Sequence, residues 1–207
     1  MGLIKVNATK SVRSNLTENA PFIHVWSGQI KRRSTPDIIA DILTRYDIPV
    51  ATDNFRYGRY GKPEAGITGR ISFNLTNDRD LFAFAVTDCG DIGIDLQETI
   101  DRESRIHALE EVFLPEELEL LISGQNLFNV SVYWAVKEAL VKQEGSSIWF
   151  GMNLRVVDRL DRNSRGRWIE LENRYVYVSD WNGMGFALAV PGGQLPPGPI
   201  FMNEDEY

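Results

Sequence analysis

The 207-residue sequence holds one cysteine, Cys89, and two histidines, His24 and His107. A single thiol excludes an internal disulfide and a cysteine-based zinc site. Two histidines exclude a multi-histidine metal centre, and neither lies in a recognisable Ser-His-Asp setting. Long apolar runs are also missing: Leu81–Val86 spans only six residues, far below the roughly 20 needed to cross a bilayer. The opening MGLIKVNATKSVRSN lacks an apolar core of signal-peptide length, so a soluble, cytoplasmic protein without a membrane partner is expected. Positive charge is in deficit. Lys and Arg total 22 against 29 Asp and Glu, a net charge of −7, which disfavours nucleic acid as a partner because phosphates require a basic face. A local basic pocket for one phosphorylated ligand remains compatible with that balance.

What is present suits a packed globular chain. Apolar residues make up 43% and charged residues 25%, and the length suffices to bury a core without disulfides. Ser34 to Tyr46 reads as a helix, with Ser34 or Thr35 as cap, Pro36 in the first turn and Ile38, Ile39, Ile42 and Leu43 on one face. The basic triplet Lys31-Arg32-Arg33 precedes it, either as a solvated face or as a phosphate contact at a helix start. Phe55–Gly69 is loop-rich. Strands are expected at Ile71–Leu75, Leu81–Thr87 and Ile92–Leu96, with Asp88–Asp91 as a hairpin connection.

A short helix is expected over Glu103–Phe113, and a new start at Leu114–Glu119 with Pro115 near its first position. The strongest helix runs from Phe128 to Gln143, with Tyr133, Val136 and Leu140 as its apolar stripe. Further strands are expected at Leu154–Asp158, Trp168–Glu172, Tyr175–Ser179 and Gly185–Val190. Gly192–Pro199 reads as a loose extension. This order gives an α+β class with largely antiparallel sheets.

Three segments could carry chemistry. Tyr60-Gly61-Lys62-Pro63 holds a lysine in a restricted loop, or is a plain surface turn. In Gly93-Ile94-Asp95-Leu96-Gln97, alternation puts Gly93, Asp95 and Gln97 on one face and Ile94 and Leu96 in the core. An acid and an amide at a strand end can supply oxygen ligands to Mg²⁺, or simply cap the next turn. On the strong helix, Glu138 and Lys142 are four residues apart and share a face with Trp134. Such a pair is most often an exposed ion pair, and the adjacent aromatic argues for partial burial.

The order and spacing of these segments resemble the Sfp-type 4′-phosphopantetheinyl transferases. That family has a Gly-Lys-Pro loop, a Phe-Asn-Leu-Ser-His-Ser strand, a Gly-Ile-Asp-hydrophobic-Glu strand and a Trp-x-x-Lys-Glu-x-x-x-Lys helix. The corresponding residues are Tyr60–Pro63, Phe73-Asn74-Leu75-Thr76-Asn77-Asp78, Gly93–Gln97 and Trp134–Lys142, and the likeness covers roughly residues 55–150. Two positions depart from it. Asn77 stands where the family has a histidine that helps hold the coenzyme A phosphates, and Gln97 stands where it has a second acid.

The resemblance implies magnesium-dependent transfer of the 4′-phosphopantetheine group from coenzyme A, the co-substrate, to a serine of an apo acyl or peptidyl carrier protein. Such carriers serve fatty-acid, polyketide and nonribosomal-peptide synthesis, natural-product pathways included. Asp95, Glu138 and Lys142 are the implied catalytic residues, and Asp95, Gln97 and Glu138 the metal ligands. Lys62, Thr76, Asn77, Lys142, Arg32 and Arg33 are the implied coenzyme A contacts. Lys137 faces either phosphate or solvent. The implied fold has two pseudosymmetric halves, each a helix on a small sheet, with the active site between them. One half covers residues 1–98 with the Gly-Lys-Pro loop and the Asp95 strand. The other covers 99–207 with the Lys-Glu helix and a loose C-terminal tail. Asn77 and Gln97 also leave open a degenerate member that binds coenzyme A or a carrier protein without efficient transfer.

Overall fold

In the computed structural model, the described residues are 20–48, 50, 56–58, 62–64, 71–100, 106–124, 128–147, 151, 153–181 and 183–204. They form two four-stranded sheets stacked face to face, with helices on the outer faces.

The first sheet has the order β10-β1-β5-β4, from Ile200–Asn203, Ile23–Gln29, Leu81–Thr87 and Ser72–Asp78. β10 runs parallel to β1, and the other pairs are antiparallel. Helix α1, Thr35–Thr44, covers its outer face. Ser34 caps α1 reciprocally, its hydroxyl accepting from the Asp37 N–H while the Asp37 carboxylate accepts from the Ser34 N–H. This satisfies donors that the first helical turn would otherwise leave open. Alternation then sorts β5: Phe82, Phe84 and Val86 pack with α1, whereas Ala83 and Ala85 face the second sheet. Both faces are covered, which is why this strand reads as an unbroken apolar run.

The second sheet has the order β6-β9-β8-β7, from Gly93–Gln97, Met184–Pro191, Arg174–Trp181 and Trp168–Leu171, all antiparallel. Ile94, Leu96, Phe186 and Leu188 pack between the sheets, and Ala187 and Ala189 face helix α4, Val130–Glu144. Asn129 caps the start of α4 through its side chain, and Gly145 ends it with a left-handed φ of 63°. Two glycines let α4 lie almost on the strands. A Cβ on Gly93 would stand 1.9 Å from the Ala139 carbonyl oxygen, and one on Gly185 2.4 Å from that of Ser131. Helices α2, Ile106–Val112, and α3, Pro115–Ile122, complete the outer layer, and β2, Arg56–Tyr57, pairs with β3, Pro63–Glu64.

The α+β class with antiparallel-rich sheets agrees with the sequence. Four local expectations are corrected. Asp88–Asp91 is not a hairpin: β5 and β6 belong to different sheets, and the connection carries the chain between them. Leu154–Asp158 is buried at Leu154, Val156 and Val157 but is no strand, because the Val156 and Val157 N–H groups bond the Glu117 carboxylate instead of a neighbouring strand. The chain after Pro199 is not loose; it enters the first sheet as β10, and Met202 packs beneath α1. The Phe128–Gln143 helix is buried nearly all round rather than along one stripe. Residues 101–105, where the Glu103 helix start was expected, lie outside the described residues, as do Tyr60 and Gly61. Among the described residues no helix is long and apolar enough to cross a membrane.

Candidate active site

The sheets are stacked so that their edge strands β4 and β6 lie side by side without a shared backbone ladder. Helix α4 crosses the second sheet beside this seam, and the three elements enclose an open cleft of about 360 Å³. Thr76, Asn77 and Asp78 line it from β4, Asp95 and Gln97 from β6, and Trp134, Glu138 and Lys142 from α4.

At its floor Lys142 Nζ donates to Asp95 Oδ1 at 2.6 Å and to Thr76 Oγ1 at 3.3 Å, while Thr76 Oγ1 itself donates to Asp95 Oδ1 at 3.0 Å. Asp95 is buried. Among the described residues its Oδ2 has no hydrogen-bond partner, so this second oxygen is left for whatever occupies the cleft. The expected Glu138–Lys142 ion pair does not form, because Lys142 turns to the buried acid of β6. Glu138 makes no hydrogen bond or ion pair among the described residues. Burial pushes its carboxyl above the usual carboxylate range, the nearby charge of Asp95 adds to that shift, and Lys142 pulls the other way. An unpaired carboxylate with raised proton affinity is suited to accept a proton at neutral pH.

The lining thus brings together Thr76, Asn77, Asp95, Gln97, Glu138 and Lys142 from the sequence reading. It does not include the other three. Lys62 donates to the Ile92 carbonyl at 3.3 Å, just before β6. Arg33 grips the Glu204 carboxylate after β10, bonds the Gln29 carbonyl at 2.7 Å and lies over the Phe82 ring. Arg32 is exposed in the turn before α1. Lys137 faces neither phosphate nor solvent: it is fully buried against Glu117, with Nζ 2.6 Å from Oε2. Asp78 also lines the cleft and was missed; its signal was the spacing of two from Thr76, which puts both on one strand face.

Around the cleft the oxygen donors are the Glu138 carboxylate, the Oδ2 of Asp95 and the Gln97 amide. Among the described residues no three His, Cys, Asp or Glu side chains form a metal cluster. That set fits Mg²⁺, which retains several waters and takes one or two carboxylates together with phosphate oxygens. It does not fit zinc, which favours nitrogen and sulfur.

Comparison with known proteins agrees with this geometry. Residues 91–191, which contain Asp95, Gln97, Glu138 and Lys142, match the 4′-phosphopantetheinyl transferase superfamily. The 4′-phosphopantetheinyl transferase AcpT of Salmonella typhimurium is 34% identical over 96 residues, covering 45% of this chain and 50% of the relative. AcpT of Escherichia coli K12 is 33% identical over 96 residues, covering 45% and 49%. The L-aminoadipate-semialdehyde dehydrogenase-phosphopantetheinyl transferase of Candida glabrata is 28% identical over 109 residues, covering 49% and 42%. The chain spans about half the length of the curated relatives it matches. The acidic strand β6 and the Glu138 helix both lie inside the region, residues 91–191, that is similar to the 4′-phosphopantetheinyl transferase superfamily.

Proposed function

We propose that this protein transfers the 4′-phosphopantetheine group of coenzyme A to a serine hydroxyl of an apo acyl or peptidyl carrier protein, in the manner of the Sfp-type enzymes, and requires Mg²⁺. The observation that carries the reading is the convergence of Asp95, Glu138 and Lys142 on one cleft, with Glu138 unpaired and raised in proton affinity.

In this reading the serine Oγ forms a bond to the phosphorus that bears the pantetheine arm. The pyrophosphate bridge breaks, and adenosine 3′,5′-bisphosphate leaves with the bonding pair. A Glu138 carboxylate oxygen takes the serine proton. Lys142 holds Asp95 Oδ1 and presents positive charge where phosphate oxygens gather negative charge, the electrostatic stabilisation on which such displacements depend. Asn77 offers an amide to phosphate oxygens from β4, whereas the Thr76 hydroxyl proton is committed to Asp95 Oδ1. Asp95, Glu138 and Gln97 would hold the magnesium ion, which when bound neutralises charge on the pyrophosphate oxygens. Trp134 walls the cleft on the helix side. The geometry favours Lys62 as a brace on the chain entering β6 over a phosphate ligand, and spends the Arg33 charge on Glu204. The test is transfer of labelled phosphopantetheine from coenzyme A to a panel of apo carrier proteins with magnesium present. Label on the carrier serine supports the reading. Coenzyme A binding without label on any carrier points to a binder instead.

A further inference from the structure

The neighbouring edges of β4 and β6 are joined by side chains alone. Asn74, Thr76 and Asp78 alternate along β4, so all three point off one face. Asn74 Oδ1 accepts from the Ile94 N–H at 3.1 Å, Thr76 Oγ1 donates to Asp95 Oδ1 at 3.0 Å, and Asp78 Oδ2 accepts from the Glu98 N–H at 2.5 Å. Ile94 and Glu98 are an even number of residues apart, so both N–H groups leave the β6 edge opposite β9. An edge strand normally satisfies such donors with water or with another strand. Here two fixed acceptors from the first sheet bracket the residue that carries the buried carboxylate of the second.

We infer that Asn74 and Asp78 are positioning residues, a two-point clamp on β6 that fixes Asp95 with its Oδ2 facing the cleft; this rests on the transfer reaction proposed above. Asn74 is 2% exposed and absent from the cleft lining, so it has no route to substrate and acts only through Ile94. Asp78 reaches the cleft, but its Oδ2 is committed to the backbone of Glu98, whose own side chain is turned to Arg79. If either contact is lost, Asp95 still pairs with Lys142, but the strand that carries it keeps only one of its two backbone tethers to β4. Misplacement of a catalytic group by about 1 Å from a change away from the chemistry costs on the order of 100-fold in rate.

The experiment compares Asn74→Leu and Asp78→Ala, which lack the acceptor, with Asn74→Asp and Asp78→Asn, which retain a carbonyl or carboxylate oxygen. Amide exchange at Ile94 and Glu98, the carboxyl carbon resonance of Asp95, and the kinetic constants of transfer are measured for each. Expected are faster exchange at Ile94 in Asn74→Leu and at Glu98 in Asp78→Ala, a moved Asp95 resonance in both, and kcat lower by roughly 10- to 100-fold. KM for coenzyme A should stay within about twofold, and the oxygen-retaining variants should recover most of kcat. An Asp95 resonance that stays in place, equal losses in all four variants, or KM rising with kcat unchanged would overturn the clamp. If the wild-type protein transfers nothing, the proposed function fails, whereas the exchange and resonance readouts still decide whether β4 sets the position of Asp95.

Discussion

Lys137 immediately precedes Glu138 and carries a positive charge, yet its ammonium is fully buried in the opposite direction. Burial pushes the Lys137 ammonium below its ordinary range, and Glu117 opposes that shift. Glu117, also inaccessible, accepts at Oε2 from Lys137 Nζ at 2.6 Å and from the Leu114 N–H at 3.1 Å. Its Oε1 accepts from the Val156 and Val157 N–H groups at 2.6 and 3.0 Å. One carboxylate thus ties α3, α4 and the irregular segment before β7 together. Replacing Lys137 by Met keeps the length and apolar stem but leaves a buried carboxylate without its countercharge, a loss of about 3–5 kcal/mol. The lower end is expected, because three backbone donors still hold Glu117. Glu117→Met should cost more, since it strands the ammonium and opens the Val156 and Val157 donors at about 1–3 kcal/mol each. The double variant should cost clearly less than the sum, because neither charge is then left alone. Urea unfolding of all four proteins at neutral pH reads these differences. In thermal unfolding the Lys137→Met loss corresponds to roughly 10 °C. A Lys137→Met protein that loses less than about 1 kcal/mol, with additive behaviour in the double variant, would refute the buried-pair reasoning. A large rise in KM for coenzyme A with stability intact would return Lys137 to the phosphates.

Two further outcomes follow from other parts of the structure. His24 is buried, with its Nδ1 2.8 Å from the Tyr46 hydroxyl, whose oxygen accepts from Trp26 Nε1–H. Burial lowers its pKa from 6.5 to about 4, against the pull of Asp88. The unfolded chain therefore binds the proton first: the stabilisation is complete above pH 6.5 and is lost as pH falls towards 4, by about 3 kcal/mol in all. Urea unfolding at pH 7 and pH 4 should show a shallower acid loss in His24→Phe than in wild type, and identical slopes would refute the assignment. Gln97 lines the cleft on the Asp95 strand, and an amide attracts a cation less than a carboxylate does. Gln97→Glu should lower the magnesium concentration for half-maximal transfer; an unchanged titration would remove Gln97 from the metal site.

Much of this was legible in the sequence because it is local. The helix start at Ser34, the strand Leu81–Thr87 and the long helix that becomes α4 each follow from neighbouring residues. Within the site, the family-like motifs pointed to Asp95, Glu138 and Lys142, which share the cleft. What was not legible depends on partners far along the chain. Val156 and Val157 look like strand residues until Glu117, about 40 positions earlier, takes their N–H groups. Glu138 and Lys142 look like a helix ion pair until Asp95 is brought against Lys142 by the close packing at Gly93. Arg33 looks like a free cation at a helix start until Glu204, 171 residues away, arrives through β10. The Asp88–Asp91 turn has hairpin composition, and only the stacking of two sheets decides that it crosses between them.

The central claim, that Glu138 in this cleft moves a proton during phosphopantetheine transfer, is tested most directly by one comparison. Wild-type and Glu138→Gln proteins, both shown to be folded, are assayed for transfer of labelled phosphopantetheine from coenzyme A to an apo carrier protein at saturating magnesium. The account predicts label on the carrier serine with wild type and turnover at least ~100-fold lower with Glu138→Gln, the loss expected for an acid–base group. Transfer by Glu138→Gln at a near-normal rate would contradict it.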